Sequence, residues 1–594
     1  MSHINVQVYY CKGRDYHRKC YVFHGIYFGF DTFIQNFVTQ EFGYWSGSKM
    51  SVCLLFKSIT RNCGVFFFMK IIDKPTWLKS KGYLHITAQI DVDKNAEIIF
   101  SKIKNPDFIN KYAFYPLIHS NINERRYKRI ASDYTYRAHS CKDESGKHVK
   151  HNKIRPLHYA THFDALIFGY YAEILQKRYE ERILMFEGLN NCIIAYRKLQ
   201  SEVEGKNKST IDFANEIFEE IRNKTNSSEE DSVVLTFDIK SFFSSLNHDS
   251  LKSSWADILG VERLPQDHYN VFKAATQFSY IFLDELRTSS NNKLRKGGFN
   301  EKELARIRNQ HGINALFDSP KAFREQVKNG SIKLHKFPFR DKETKQPIGI
   351  PQGLPISATL ANLYLLKFDL KILDVAVKDL NAYYRRYSDD IVIVCSSKVA
   401  DVIETLVKDE MKKHKVEISI NKTEKFLFKK LIFGNKEPRL TSIKILKSRA
   451  HINAPFNYLG FEFNGQKVLI KSANVAKFYR RMISSIKSKA KRAKLLAEKN
   501  PGTSPIIFRR QLYKLYTTRP LNNVKIRNRW KKIVKTDNGN FRLQTGLRQK
   551  VLRSNYLTYV RRASEIMNEP GIERQIRNHK KIFNQAIYKY LNKK

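Results

Sequence analysis

The chain of 594 residues lacks several features that would place it in common protein classes. It has seven cysteines, an odd number without a C-x2-C pair, so neither a disulfide framework nor a typical zinc site is expected. No apolar run approaches the roughly eighteen residues of a membrane-spanning helix. The N-terminus lacks the basic, apolar and small-residue order of a secretory signal. We therefore expect a cytoplasmic protein with no membrane partner.

Acidic residues are also scarce. There are 57 Asp and Glu against 106 Lys and Arg, which leaves a net charge of +49. The region 471–594 has 33 basic residues and five acidic ones, so it contributes +28 of that charge. Aromatic residues are interleaved with the charge in "FRRQLYKLYTTRP" and "RNRWKKIVK". This composition favours a polyanionic partner, and nucleic acid is the first candidate. A solvated basic helical face is the alternative interpretation.

Two neighbouring carboxylates stand out in "YYRRYSDDIVIV", where Asp389 and Asp390 precede an alternating run of β-branched residues. A third, Asp238, ends the apolar strand pattern of "SVVLTFDIKSFF". Adjacent like charges repel each other unless a multivalent cation neutralises them. By itself an Asp-Asp pair is usually a solvated turn. The three carboxylates together predict a site for two Mg²⁺ ions, with Mn²⁺ as a substitute, of the kind used in phosphoryl transfer.

Further motifs follow in a fixed order along the chain. They are "IPQGLPISATLANLYLLKFD" at 350–369, "ISINKTEKF" at 418–426 and "FNYLGFEF" at 456–463. With the Asp238 and Tyr-Ser-Asp-Asp motifs, they resemble the reverse transcriptase family between about residues 110 and 465. This resemblance implies an α/β (α+β) right-hand polymerase fold.

The resemblance also implies a division of the chain. A small α/β or β-rich N-terminal appendage would cover 1–110, and the fingers 111–232. The palm, with an antiparallel sheet and a basic insertion around 287–345, would cover 233–470. A basic helical thumb and a C-terminal nucleic-acid-binding or assembly region would cover 471–594. Ser and Asn at 201–231 predict a loop.

Roles at the catalytic centre follow from the same resemblance. Asp238, Asp389 and Asp390 would be the catalytic metal ligands, together with the backbone of Ile239. Lys422 would protonate the leaving pyrophosphate, and Lys425 is its rival.

Substrate contacts are implied as well. An aromatic ring at Phe243 would exclude a 2′-hydroxyl, and Gln352 and Gly353 would lie close to the incoming nucleotide and the template base. Lys153 and Arg155 would hold the triphosphate. Arg197, beside Tyr196, would line the same site.

The branch of the family is suggested by other stretches, among them "RPLHYATHFDALIFGYYAEILQKRYEERI" at 155–183. These resemble bacterial defence-associated and abortive-infection reverse transcriptases. The resemblance implies antiviral DNA synthesis from dNTPs on an RNA template, with a dedicated noncoding RNA as partner or template and DNA as product. Self-association or a partner protein stays open. Two alternatives remain: a template-independent or protein-primed DNA polymerase of the same fold, and an inactive RNA-binding regulatory protein.

Overall fold

A computed structural model describes most of the chain beyond residue 74 and three short strands before it. The described residues are 5–12, 17–24, 53–54, 75–126, 128–130, 133–138, 140–142, 146, 148–201, 205–227, 230–288, 297–419, 422–434, 437–446, 449–521 and 524–592. The chain divides into two compact units, Met1–Lys79 and Ser80–Lys594. Sequence composition predicted the corresponding change near residue 110.

The first unit contains a three-stranded sheet. Strands β1 (Asn5–Lys12) and β2 (His17–His24) pair antiparallel, and β3 (Cys53–Leu54) lies parallel to β2. These strands fall within the region for which aromatic, β-like runs predicted a small β-rich appendage.

The second unit begins with two short helices, a group of strands and three further helices. In order these are α1 (Ala96–Lys104), α2 (Pro106–Lys111), β4 (Leu117–Arg125), β5 (Lys128–Ile130), β6 (Asp133–Ala138), β7 (Ser140–Lys142), β8 (His148–Lys150), β9 (Asn152–Tyr159), α3 (His162–Leu184), α4 (Leu189–Cys192) and α5 (Thr210–Ser227). Strands β4 and β9 pair antiparallel. A later strand, β11 (Tyr280–Phe282), lies parallel to β4 and completes a three-stranded sheet.

Helix α5 corrects the predicted loop at 201–231. Ile211, Ala214, Phe218 and Ile221 recur at helical spacing and are all buried. This apolar stripe packs on the strands of the central sheet, so tertiary burial stabilises a helix whose Ser- and Asn-rich flanks indicated a loop.

The central sheet has six strands in the order β12, β13, β10, β14, β15, β16, and every neighbouring pair is antiparallel. The predicted antiparallel sheet is therefore confirmed. The elements of this region are β10 (Ser232–Asp238), α6 (Phe242–Ser245), α7 (His248–Leu259), α8 (Gln266–Thr276), β11, α9 (Glu301–His311), α10 (Pro320–Lys328), α11 (Ser357–Tyr364), α12 (Leu366–Ile372), a π-helical segment (Leu373–Asp379), β12 (Tyr383–Tyr387), β13 (Asp390–Ser396), α13 (Ala400–Lys413), β14 (Glu424–Leu431), β15 (Arg439–Ile445) and β16 (Ala450–Ile452).

Strand β10 lies in the interior of this sheet, between β13 and β14. Val233, Val234 and Leu235 point alternately to its two faces, yet all three are buried. Helices α5 and α13 both contact β10. A strand that is covered on both faces needs a continuous apolar run. Asp238 follows this run as the last residue of β10, at the end of the sheet.

The C-terminal region combines helices with strands. Its elements are β17 (Phe456–Tyr458), β18 (Phe461–Phe463), β19 (Val468–Ile470), α14 (Ser472–Lys499), α15 (Arg509–Tyr516), β20 (Lys525–Lys535), β21 (Phe541–Val551), α16 (Tyr556–Ile566), α17 (Pro570–Arg574) and α18 (His579–Asn592). Residues 525–551 lie in the region for which a basic helical thumb and a nucleic-acid-binding or assembly region were expected, and they form a long antiparallel hairpin. Among the helices that the structure describes, none is both long and apolar enough to cross a bilayer.

Candidate functional site

The Asp-Asp motif lies in a tight hairpin between β12 and β13. Tyr387 and Asp390 are register partners, so only Ser388 and Asp389 form the connection. Ser388 has a φ of 60°, which a two-residue hairpin connection commonly requires. A side chain in this conformation costs about 1 kcal/mol, and contacts described below offset that cost.

The register of the central sheet brings the third carboxylate to this hairpin. Asp238, the last residue of β10, is the register partner of Asp390 in β13. Directly opposite residues in an antiparallel pair have Cα atoms about 4.5–5.5 Å apart and side chains on the same face. The amide of Ile239 donates a hydrogen bond of 3.2 Å to the carbonyl of Asp389. Three carboxylate residues from two distant motifs therefore meet at one end of the sheet.

Lys422 reaches this group, because its Nζ forms an ion pair with Oδ2 of Asp238. Its rival, Lys425, pairs instead with Asp401 and lies 3.6 Å from Glu404 on α13. Of the two candidate lysines, only Lys422 contacts one of the three aspartates.

Burial and repulsion between the carboxylates raise the pKa values of Asp389 and Asp390. Desolvation and then repulsion from Asp389 and Asp238 raise the pKa of Asp390 to about 6. Desolvation, followed by the Asp238 charge, also raises the pKa of Asp389. Because the Asp390 residue remains exposed to solvent, a bound cation can reach it and relieve the repulsion. Lys153 and Lys422 act in the opposite sense and favour the ionised aspartates.

Lys153, on β9, belongs to the same electrostatic group. Burial, followed by repulsion from Arg155, Arg126 and Lys422, lowers its pKa, while the Asp238 charge acts to raise it. The structure therefore brings Lys153 within electrostatic range of the aspartates.

The oxygen ligands that converge here are chemically suited to a divalent cation. Carboxylate oxygens are the ligands that Mg²⁺ prefers, and three of these groups converge here. Ile239 forms an isolated antiparallel bridge with Ile418, in which the carbonyl oxygens of Asp238 and Glu417 accept the hydrogen bonds. This bridge leaves the Ile239 carbonyl available as a fourth oxygen ligand. Over the described ranges, no three His, Cys, Asp or Glu side chains form a closed metal-binding group. In this structure the ammonium of Lys422 contacts Oδ2 of Asp238.

The loop that contains Gln352 and Gly353 crosses β9. The amide of His158 donates a hydrogen bond of 2.8 Å to the Gln352 carbonyl. Gly353 has a φ of 119°, and a Cβ there would lie 2.5 Å from the His158 carbonyl oxygen. A glycine is therefore required by close packing against β9, whereas the sequence suggested close approach to a nucleotide.

Phe243 is linked to the same loop, because its carbonyl accepts a hydrogen bond of 2.6 Å from the amide of Ile350. Its ring is half-buried, whereas Phe242 is buried. Ser357 is the first residue of α11, and its hydroxyl donates to the Pro351 carbonyl at 2.6 Å and fixes the loop.

Arg155 and Arg197 do not contact the aspartates. Arg155 pairs with Glu124 at 3.2 Å. The side chain of Arg197 is only 1% exposed, and its guanidinium contacts Glu180, Asn190 and the Ile193 carbonyl. All five of its N–H donors are used in this way, so Arg197 stabilises the protein interior and is not available to hold a triphosphate. The expectation that Arg197 binds substrate is corrected accordingly.

A buried ion pair lies directly behind the hairpin. Arg386 and Asp369 are both fully buried, and the guanidinium donates two hydrogen bonds of 2.7 and 2.6 Å to the carboxylate. The hydroxyl of Tyr384 donates to the same carboxylate at 2.6 Å. Arg386 also donates to Asn362 at 3.2 Å and to the carbonyl of Ser388 at 3.3 Å. The pair therefore ties the turn to helices α11 and α12.

Tyr196 contacts the turn from the other side. Ile193 forms a parallel bridge with Arg386 in β12, which brings the "IIAYR" segment alongside the hairpin. The hydroxyls of Tyr196 and Ser388 are 3.1 Å apart and share a hydrogen bond. Tyr196 is 48% exposed, so part of its ring faces solvent beside the aspartates.

Residues 297–463 match the family model described as reverse transcriptase (RNA-dependent DNA polymerase). The resemblance is thus confirmed for this stretch, and the chain contains a reverse transcriptase family domain. The matched residues include Gln352, Asp389, Asp390 and Lys422, whereas Asp238 and Phe243 precede them. The mixed α/β content agrees with a right-hand polymerase fold. No curated protein matches the sequence.

Solved telomerase structures are similar to parts of the chain. Apo telomerase from Candida tropicalis truncated from its C-terminal domain has a TM-score of 0.31 and 12% identity, over 54% of this chain and 53% of its own. Telomerase from Candida albicans in complex with a TWJ fragment of telomeric RNA has a TM-score of 0.30 and 10% identity, over 66% and 52%. The chain thus spans about half the length of these telomerases, and similarity at this level carries no functional argument.

Proposed function

We propose that the protein is an RNA-directed DNA polymerase that transfers deoxynucleotides at the Asp238, Asp389 and Asp390 group. The observation that carries this proposal is the pairing of Asp238 with Asp390 at the end of the central sheet. The reverse transcriptase family match covers the hairpin independently of that pairing. A regulatory protein that only grips RNA would not need these three carboxylates together.

Asp238, Asp389, Asp390 and the Ile239 carbonyl would hold Mg²⁺, with Mn²⁺ as a substitute. The two ions of such polymerases neutralise the phosphates and lower the pKa of the attacking hydroxyl. The Lys422 ammonium lies beside Asp238 and can donate a proton to the leaving pyrophosphate. Its release from Asp238 would accompany loading of the site.

Substrate selection is proposed for residues around the same group. Lys153 on β9 is close enough to the aspartates to influence them electrostatically, so it is the candidate for the triphosphate. Arg155 could join it only by leaving Glu124. The half-buried ring of Phe243, fixed through Ile350 to the Gln352 loop, would exclude a 2′-hydroxyl.

We further propose that the polymerase acts in bacterial antiviral defence in the cytoplasm, with a noncoding RNA as template or partner. The sequence resemblance of residues 155–183 to defence-associated reverse transcriptases supports this role. Helix α3 contains most of that stretch. In a phage plaque assay, a host that expresses the parent protein should be protected and one that expresses Asp389→Asn should not.

Incorporation of labelled dNTPs on a primed RNA template tests the activity itself. We expect Mg²⁺-dependent DNA synthesis by the parent protein and none by Asp389→Asn. Asp374→Asn is the matched control, because it makes the same change at an exposed aspartate that pairs with Lys378. Parental synthesis by Asp389→Asn would overturn the proposal, and synthesis that needs no template would favour the template-independent alternative.

A further inference from the structure

The hairpin of β20 and β21 is a strongly basic element of the C-terminal region. Residues 525–551 contain nine Lys and Arg and a single acidic residue, Asp537, next to the turn. The nine are Lys525, Arg527, Arg529, Lys531, Lys532, Lys535, Arg542, Arg548 and Lys550. Among the described residues, none of these nine side chains has a hydrogen-bonded or ion-paired partner. Ion pairs with the described part of the chain therefore do not compensate the self-repulsion within the hairpin.

The two faces of the hairpin carry similar numbers of cations, five and four, but arrange them differently. Residues that are register partners lie on the same face of the hairpin. In the first half of β20, every second residue therefore lies on one face together with its partner in β21. We call this surface the basal face; its eight residues, all exposed, are Lys525, Arg527, Arg529, Lys531, Thr545, Leu547, Gln549 and Val551. It contains a row of four cations and no carboxylate.

On the opposite face of the same half, the β20 residues are less accessible, whereas Arg548 and Lys550 of β21 are exposed. Ile526, Asn528 and Trp530 are half-buried there, and the indole of Trp530 covers Gly546. Near the turn, most of the residues that continue the basal face are partly buried. Phe541 packs against Gly312 at the end of α9, with Leu543 also half-buried. The hairpin is therefore held at both ends, by α9 near its turn and by the chain leading to α16 at its base.

The basal face continues into a cavity. Val551 belongs both to the face and to the wall of a cavity of about 420 Å³. Four arginines and one glutamate line this cavity: Arg519, Arg553, Arg561, Arg562 and Glu565. Three of the arginines have carboxylate partners, whereas Arg553 has none among the described residues. The basic surface is thus extended beyond the hairpin.

The chemistry of the basal face fits a nucleic acid backbone. Successive cations on one face of a strand are about 6.6–6.8 Å apart, a repeat that suits phosphates along one strand. Unpaired bases would need aromatic platforms, and the face has none because Trp530 lies on the other side. Thr545 and Gln549 offer neutral hydrogen-bonding groups of the kind that contact 2′-hydroxyls in the shallow groove of an RNA duplex.

We propose that the basal face is a docking surface for double-stranded RNA, which it contacts through phosphates and 2′-hydroxyls without reading sequence. The choice of RNA over DNA rests on the proposed function, whereas the docking surface itself does not. A polymerase that holds a folded RNA at a fixed place outside its catalytic group can retain one template through successive rounds of synthesis.

Two triple variants test the surface. Arg527→Gln/Arg529→Gln/Lys531→Gln removes three cations of the basal face. The control, Lys532→Gln/Arg542→Gln/Arg548→Gln, removes three exposed cations of the opposite parity from the same hairpin. Both variants lower the net charge equally, so diffuse attraction changes by the same amount in each.

The measurement is binding of a labelled, blunt RNA hairpin at several salt concentrations without dNTPs. We expect the basal-face variant to lose about three units from the slope of log affinity against log salt, about one per phosphate contact, and the control to lose less than about one. Equal losses in the two variants would overturn the docking surface. Equal competition by a DNA duplex of the same sequence, or by unstructured RNA, would overturn the assignment to double-stranded RNA.

Primer extension separates this inference from the proposed function. On a short primed template without a folded RNA region, the basal-face variant should synthesise DNA at the parental rate. If neither protein synthesises DNA but the slopes differ as expected, the polymerase proposal fails and the docking surface stands. If both synthesise DNA and the slopes agree, the docking surface fails alone.

Discussion

The buried pair of Arg386 and Asp369 provides the sharpest test of how the active-site turn is held. Replacing Arg386 by Met leaves the Asp369 carboxylate buried with only the Tyr384 hydroxyl as a donor. Removing one partner of a buried ion pair costs about 3–5 kcal/mol. We therefore expect Arg386→Met to lower the free energy of unfolding in urea by that amount.

A triple variant separates stability from catalysis. In Arg386→Met/Asp369→Leu/Tyr384→Phe no charge or hydroxyl of the group remains buried without a partner, so this variant should be more stable than Arg386→Met. It should remain less stable than the parent, because the acceptors left on Asn362 and Ser388 cost about 1–3 kcal/mol each. Primer extension should not return. The Ser388 carbonyl has lost its donor, and a displacement of the catalytic group by about 1 Å can reduce the rate about a hundredfold.

Arg385→Met is the control for this experiment. Arg385 is adjacent in sequence but stacks on Tyr383 and lies 3.9 Å from Glu216, away from the turn. It should lose little activity. A folded triple variant that extends primers at the parental rate would refute the argument that the buried pair positions the turn.

Four further predictions concern residues around the aspartates. Phe243→Ala should incorporate ribonucleotides more readily than the parent, and an unchanged preference in a competition assay would indicate a purely structural ring. Gly353→Ala should lower the free energy of unfolding by about 1–3 kcal/mol, because its Cβ would lie 2.5 Å from a backbone oxygen, whereas Gly298→Ala has open space and should not. Lys422→Met should slow single-turnover incorporation while primer-template binding stays normal; equal rates would exclude it as the proton donor. Asp390 has a pKa raised from 3.8 to about 6, so the folded protein retains a proton that the unfolded chain has released, and stability falls as pH rises through that window. Asp390→Asn should therefore raise the thermal midpoint in EDTA at pH 7.5 but not at pH 4, and an equal rise at both would contradict this.

Some parts of the site could be predicted because their signals are local. The alternating β-branched residues after Asp390 indicate a strand, and the two Asp residues leave room for only a tight turn before it. Asp238 ends a continuous apolar run, which is typical of a strand in the interior of a sheet. The hairpin follows from these patterns, whereas the antiparallel sheet was implied by the resemblance to reverse transcriptases.

Other parts depend on long-range packing that no local pattern reveals. Arg197 looks like a surface cation beside a charged segment, and only the fold shows that Glu180 and Asn190 surround it. Arg386 could have been found from its parity, because in "YYRRY" it shares a face with Tyr384, but its partner Asp369 is on a separate helix.

The C-terminal hairpin was missed for a related reason. Cations are distributed along both strands of 525–551, and they obscure the alternation of Ile526, Trp530 and Val534. Charge density therefore indicated a nucleic-acid-binding surface but not the hairpin that carries it.

Asp238 gives the most direct test of the central claim, because it lies outside the matched family domain and reaches the site only through the register of β10 with β13. The measurement is the rate of dNTP incorporation on a primed RNA template as Mg²⁺ is varied, for the parent and for Asp238→Asn. We predict that Asp238→Asn, folded as judged by its thermal midpoint, incorporates no dNTP at any Mg²⁺ concentration. A folded Asp238→Asn with the parental rate would contradict the account.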